Sequence, residues 1–156
     1  MCETLKLITF RFTSKVLIVH NSLKESIETY APTDSFQWAQ LESDSDIKGL
    51  TVTNADFRCI VAINCDFSGS VIRKCDMYGA NLKGCNFSNS DLTGTDFSFA
   101  RLEGANFENC ILKGCDFSNA NLKDVKFGKS DLTNVIFNNG ESKNGEIEFF
   151  SNPKNV

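Results

Sequence analysis

The sequence predicts a solenoid, in which the chain coils repeatedly around one axis, and two periodic features predict it. The first is a series of Phe residues ten positions apart, with aliphatic residues midway between them, so that the apolar period is five. The second is a Gly or Asn that recurs two positions after most of these apolar residues. A helix of period 3.6 cannot keep a five-residue pattern on one face, and neither can a strand of period two. The chain therefore has to turn once in every repeat.

The repeat runs without an insertion from residue 50 to residue 139, which makes eighteen pentapeptides, and the central position is apolar in all eighteen. Two positions before the centre, sixteen residues are Ala, Cys, Ser, Thr or Val; directly before it, eleven are Asp or Asn. Gly and Asn tolerate turn backbones, and Asp and Asn side chains hydrogen-bond to nearby backbone groups. We therefore expect one small and one large side chain of each repeat to point inwards and the others to face solvent.

Pentapeptides such as Ala80–Gly84 (ANLKG) and Cys115–Asn119 (CDFSN) resemble those of the pentapeptide-repeat family, and the resemblance covers 90 of the 156 residues. It implies an all-β solenoid, a right-handed quadrilateral β-helix in which four pentapeptides form one square coil. Eighteen repeats would then form about four and a half coils. Because the coil holds four repeats and Phe recurs in every second one, we expect Phe to stack on two opposite faces and Leu on the other two.

We expect a cap at each end of the solenoid, because the end coils expose apolar core and unpaired strand edges. Residues 1–49 predict a small N-terminal α+β cap with a hairpin of two strands and one or two short helices, the second of which would carry Phe36, Trp38 and Leu41. The alternative is that this segment is a separate ligand-binding module. Residues 140–156 are predicted to close the other end as a C-terminal cap or tail.

Composition and charge exclude several classes of protein. Apolar residues make up 41% of the chain and charged residues 23%, which is close to globular averages and disfavours disorder. The longest strongly apolar run, residues 16–19, is too short to span a bilayer, and the first residues do not form a secretion signal. We therefore expect a cytoplasmic protein without membrane contact. A formal charge of -4 also argues against direct binding of nucleic acid, which normally requires a basic stripe.

The cysteines predict core filling rather than a metal or redox site. Five of the seven occupy the small inward position of the repeat: Cys65, Cys75, Cys85, Cys110 and Cys115. The chain has no Cys-x-x-Cys pair, and its one histidine lies outside the repeat, so we predict no metal site. It also has no nucleophile motif, P-loop or dinucleotide fingerprint. We therefore predict no catalytic residue, no cofactor and no enzyme activity.

One face of the predicted β-helix carries an acidic column formed by Asp56, Asp76, Asp96 and Asp116, which should stack about 4.8 Å apart. Within the family, the quinolone-resistance proteins have rods that resemble duplex DNA and bind DNA gyrase, so the resemblance implies DNA mimicry as one role for this column. Duplex DNA carries one charge per roughly 1.7 Å, so the column is sparse by comparison, and Arg58 offsets it. The alternative is that the Asp side chains stabilise turns.

A second surface feature is apolar. Phe99 stands where most repeats have Gly or Asn, and Tyr78 points outwards one coil below on the same face. Val61 and Ile63 flank their repeat centre on the adjoining face. We hypothesise that Tyr78, Phe99, Val61 and Ile63 form a docking patch. The alternative is that residues 1–49 or the C-terminal tail fold over these positions.

The sequence therefore predicts a non-enzymatic protein-binding or scaffold module that presents flat β-helix faces to a partner protein. One alternative is a DNA-mimicking modulator of DNA gyrase or another topoisomerase. A further alternative is a small structural subunit of a larger assembly. No partner identity and no oligomeric state follow from the residues.

Overall fold

The structure, a computed structural model, describes residues 8–11, 16–19, 36–37, 40–41, 43, 46–137 and 140–141. Six short strands lie in these ranges: β1 (Ile8–Arg11), β2 (Val16–Val19), β3 (Thr51–Thr53), β4 (Val71–Arg73), β5 (Ile136–Phe137) and β6 (Gly140–Glu141). β1 pairs antiparallel with β2, β3 pairs parallel with β4, and β5 pairs antiparallel with β6. Within these described ranges, no helix is long and apolar enough to cross a membrane.

Single parallel bridges between residues twenty apart hold the coils together, as in the series from Asp56 through Asp76 and Asp96 to Asp116. The backbone bonds run between successive coils: Phe57 donates its N–H to the Asp76 carbonyl at 2.7 Å, and Asp76 donates to the Ala55 carbonyl at 3.0 Å. Because the chain turns in every pentapeptide, each face has room for few bridged residues per coil. The result is a β-helix whose coil contains twenty residues, or four pentapeptides.

The corners of the coil depend on residues with positive φ. The residue two positions after the repeat centre usually supplies it, as at Gly84 (φ 69°) and Asn89 (φ 60°). In the repeat centred on Phe127 the residue at this position is Lys129, and the positive φ moves to its predecessor, Gly128 (φ 44°). Most corner residues of the repeat are Gly or Asn because these residues adopt the left-handed backbone at the lowest cost; the exceptions among the described corners are Cys59, Lys74, Phe99 and Asp124.

The interior is layered in the way that the sequence predicts. Phe rings form two ladders on opposite faces, with centroids 5.0 Å apart between Phe67 and Phe87 and between Phe97 and Phe117. Rings of the two ladders meet edge to face across the interior. Fully buried aliphatic side chains fill the other two faces: Ile72, Leu82, Leu92, Leu102 and Leu112. This continuous core makes each outer face a rigid surface.

Within the described residues, the stack of coils extends back past Leu50 to Phe36. Phe36 donates its N–H to the Asp56 carbonyl at 2.6 Å, and its ring stacks on Phe57 with centroids 5.1 Å apart. Leu41 and Ile47 are buried and bond to the coil above in the same way. The step from Leu41 to Ile47 is six residues, which interrupts the five-residue register and hides this coil from a count of pentapeptides.

The prediction of a short helix carrying Phe36 and Leu41 is therefore wrong at these two residues, which lie in the first described coil of the β-helix; Trp38 lies outside the described residues. β1 and β2 occupy the two segments in which the hairpin is predicted. The other predicted helix and most of the C-terminal segment 140–156 also lie outside the described residues.

Candidate functional site

The acidic column is a set of turn-stabilising carboxylates. Asp56, Asp76, Asp96 and Asp116 bridge one another in register on one face. Each accepts, through Oδ1, a hydrogen bond from the backbone N–H two residues later, at 2.7 to 3.1 Å. Each Asp side chain therefore holds its own turn, which is the alternative role that the sequence allows for these residues. One oxygen of each carboxylate remains outside this turn bond.

The charge of the column is not evenly distributed along the rod. Arg58 donates to both carboxylate oxygens of Asp56, at 2.9 and 2.8 Å, and its Nε lies 3.6 Å from Oδ2 of Asp76. The hydrogen bond with Asp56 raises the pKa of Arg58. Asp96 and Asp116 form no ion pair with any residue of the described coils. The uncompensated negative charge of the column therefore lies in its C-terminal half, on Asp96 and Asp116.

An exposed pair of aromatic side chains lies on the same face. The side chains of Tyr78 and Phe99 are 43% and 52% exposed, and their ring centroids are 5.2 Å apart with planes inclined at 46°. Tyr78 lies two residues after Asp76, and its N–H donates to that carboxylate, while Phe99 lies three residues after Asp96. The two residues thus form an aromatic pair beside the acidic column, as their register predicts.

Phe99 adopts a backbone conformation that disfavours its side chain. Its φ is 58°, and the equivalent corner is Gly79 in the coil below and Asn119 in the coil above. The left-handed region costs a residue with a Cβ roughly 1–2 kcal/mol, and a bulky side chain is an outlier there. The ring regains little by burial, since half of it faces solvent. The fold therefore has no need of a Phe at this corner.

Val61 and Ile63 are the other two residues of the predicted docking patch. Both are half-buried on the adjoining face, next to the first coil. Val61 bridges Gln40, and the carbonyl of Ile63 accepts a hydrogen bond from the Ser43 hydroxyl at 3.2 Å. The first coil therefore contacts the backbone at both positions, and the ring contact of Tyr78 with Phe99 includes neither residue.

Two further isoleucines are exposed. Ile111 is 44% exposed on another face, and Ile136 is 52% exposed. Ile136 bridges Asp116 and so extends the acidic column with an apolar residue. Its exposure could have been predicted from the sequence, because Ile136 stands directly before a repeat centre, where Asp or Asn is usual.

The five cysteines at the inward positions of the repeat are buried, as the register predicts, and Cys59 is half-buried; all six are free of disulfides. Burial raises the pKa of Cys75 and Cys110 to about 11 and that of Cys115 to about 12. The thiols donate hydrogen bonds to backbone carbonyls: Cys110 Sγ to that of Phe87 at 2.8 Å and Cys115 Sγ to that of Leu92 at 3.0 Å. Within the part of the chain that the structure describes, no group of three His, Cys, Asp or Glu side chains is placed to hold a metal ion.

Comparison with known proteins connects this geometry to a family. A family model described as a pentapeptide repeat region matches residues 55–137. Among solved structures, a pentapeptide repeat protein from the thylakoid lumen of Arabidopsis thaliana is 30% identical, with a TM-score of 0.59; the match covers 62% of this chain and 67% of that chain.

Two other solved structures are more distant. QnrB1, a plasmid-mediated fluoroquinolone resistance protein, is 19% identical with a TM-score of 0.48, over 64% of this chain and 57% of that chain. A pentapeptide repeat protein from Nostoc PCC 7120 is 24% identical with a TM-score of 0.40, over 76% of this chain and 88% of that chain. A search of curated proteins found no match.

Proposed function

Because the chain belongs to the pentapeptide repeat family, whose fold is a right-handed quadrilateral β-helix, we propose that it is a non-enzymatic module that binds another protein through one face. The face is the one that carries the acidic column and the aromatic pair. Its partner is a protein, and its role is to present a preformed flat surface.

The observation that carries this proposal is the aromatic pair. Tyr78 and Phe99 are half exposed, and Phe99 keeps a strained backbone without contributing to the core. Strain that the fold does not require is concentrated in proteins at ligand and partner sites. Aromatic residues are also the side chains that most often carry the binding energy of a protein interface.

The rigidity of the underlying coil supports the same role. Phe97 and Phe117, directly beneath this face, are buried and stacked 5.0 Å apart. Phe99 also bonds through its N–H to the Ser118 carbonyl at 2.9 Å, so its backbone is held by the next coil. A surface that is already ordered loses little conformational entropy on binding, which favours affinity.

Co-purification from the native cell tests the proposal. Wild-type chain and Phe99→Asn would be expressed at equal level and melted separately to establish that both are folded. A protein retained by the wild type and lost from Phe99→Asn supports docking at the aromatic pair. Equal retention of every co-purifying protein by both chains would refute it.

A second candidate is a modulator of DNA gyrase or another topoisomerase that mimics duplex DNA. The observation that favours it is the unbroken stack of four Asp residues on one face. The column offers about one charge per 4.8 Å, against one per roughly 1.7 Å in duplex DNA, and Arg58 offsets its lower half. Gyrase supercoiling with and without a fluoroquinolone distinguishes the two: an effect of the chain favours mimicry, and no effect removes it.

A further inference from the structure

We infer that the segment recognised at the aromatic pair is a stretch of a partner protein that carries Lys or Arg side chains. This inference rests on the proposed function and deepens it by naming the chemistry of the partner. It follows from the charge next to the aromatic pair, from the rings themselves, and from how the arginines of the β-helix are engaged.

The first step is the charge beside the rings. Asp96 and Asp116 stack on neighbouring coils, and each uses Oδ1 for the turn bond to Ser98 or Ser118 at 2.7 Å. No residue of the described coils forms an ion pair with either carboxylate. Two adjacent like charges without a counterion raise the local negative potential, which attracts a cationic group of a partner.

The second step is the aromatic pair. A cation over the face of a Tyr or Phe ring is attracted by the ring quadrupole, worth about 0.5–1 kcal/mol at an exposed site. The guanidinium of Arg both stacks on rings and pairs with carboxylates. An Arg side chain could therefore stack on the rings of Tyr78 and Phe99. The same guanidinium could pair with the carboxylates of Asp96 and Asp116.

The third step is that the arginines of the described coils are engaged elsewhere. Arg58 is bonded to Asp56 at the lower end of the column, Arg73 to Asp91 on another face, and Arg101 lies 3.8 Å from Glu103. Within the described coils, Asp96 and Asp116 are thus left without a cationic partner, which a Lys or Arg of a partner protein would supply.

Neutral Asn residues at equivalent positions of the β-helix show which substitution keeps the turn. Asn86 and Asn106 occupy the same place in their repeats as Asp96 and accept the same turn bond through Oδ1, at 3.1 and 2.9 Å. Asp96→Asn and Asp116→Asn therefore remove charge without removing the turn. Asp131→Asn is the matched control, since Asp131 makes the same bond to Thr133, at 3.0 Å, on a different face.

The test is a selection of random peptides on the full chain, run in parallel on wild type and Phe99→Asn. We expect peptides that bind wild type and not Phe99→Asn to be enriched in Lys and Arg. The double variant Asp96→Asn/Asp116→Asn should bind them about 2- to 10-fold more weakly, because exposed charge pairs contribute modestly. Asp131→Asn should bind them as the wild type does, and added salt should weaken binding.

Three other results overturn the inference. Phe99-dependent peptides without Lys or Arg enrichment, or an equal loss of affinity in Asp131→Asn, would refute the cationic partner and leave the proposed docking function standing. A selection that yields no Phe99-dependent peptide would refute both.

Discussion

Phe97 and Phe107 face each other across the interior of the β-helix, with ring centroids 5.6 Å apart and planes at 81°. Each is fully buried and belongs to a different ladder, so this edge-to-face contact joins the two ladders. Phe99, two residues along the chain from Phe97, is half exposed. The same residue type thus serves the core at one position and the surface at the other.

Phe107→Ala should reduce the free energy of unfolding by about 3–5 kcal/mol, the usual cost of emptying a buried Phe site. The Phe107 ring contacts Phe87, Phe97, Phe117 and Phe127. Removing it therefore leaves a cavity in its own ladder and takes away the edge-to-face contacts with the other ladder. Denaturant unfolding measures the loss, and a change of under about 1 kcal/mol would contradict the layered core.

Phe99→Asn should change the free energy of unfolding by less than about 1 kcal/mol. The variant loses the ring contact with Tyr78, worth about 0.5–1.5 kcal/mol, and relieves a backbone strain of similar size. Asn119 has the same φ of 58° in the coil above, so Asn fits the corner. A loss near 3 kcal/mol on denaturation would mean that another part of the chain covers Phe99.

Cys110→Ser should raise the free energy of unfolding by up to about 1 kcal/mol, the worth of one hydrogen bond. The residues at the same position of the neighbouring coils, twenty residues apart, are Ser70, Ser90 and Ser130. The N–H of Ser70 donates to the Ser90 hydroxyl at 3.0 Å. The new hydroxyl at position 110 would accept a hydrogen bond from the Ser90 N–H in the same way. Cys85→Ser is the contrast: its described neighbours at the same position of adjacent coils, Cys65 and Ala105, carry no hydroxyl, so the change should destabilise. Equal losses in both variants would contradict the account.

The buried thiols should resist alkylation in the folded protein. Burial raises the pKa of Cys110 to about 11 and of Cys115 to about 12, so at pH 8 about one thiol in a thousand or fewer is the reactive thiolate. Iodoacetamide treatment followed by peptide mass spectrometry should find Cys59, which is half-buried, modified before these two. Rapid labelling of Cys115 in the absence of denaturant would contradict its burial.

Asp91 should make stability depend on pH. Its hydrogen bond from Arg73, together with those from the hydroxyl and N–H of Thr93, lowers its pKa below 3.8. A lowered pKa in the folded state gives stability that is present above pH 3.8 and is lost as the pH falls through the folded value.

Asp91→Asn should therefore be less stable than the wild type at neutral pH, by about 1 kcal/mol, and the two should converge as the pH falls below 3.8. Melting temperatures across this range provide the measurement. A difference that stays constant down to the lowest pH would show that the carboxylate charge is not the cause.

The register of the repeat made most of the core predictable. Phe87 and Leu92 are buried at the centres of their repeats because every step between them is five residues, and counting is sufficient for that. The coil containing Phe36 and Leu41 could not be counted, since the six-residue step to Ile47 breaks the period.

The site was predictable in part. The departure at Phe99 and its closeness to Tyr78 follow from the register, whereas the φ of 58° that makes Phe99 costly for the fold does not. The unequal charge of the acidic column depends on the reach of Arg58 to both Asp56 and Asp76, which requires side-chain positions.

A photo-crosslinking amino acid placed at position 99 in the native cell tests the docking surface most directly, with the same substitution at Ile111 as the control. Ile111 is also about half exposed but lies on another face. We predict a cross-link from position 99 to a discrete partner protein and none from position 111. No product from position 99, or the same products from both positions, would contradict the assignment of this face as the binding surface.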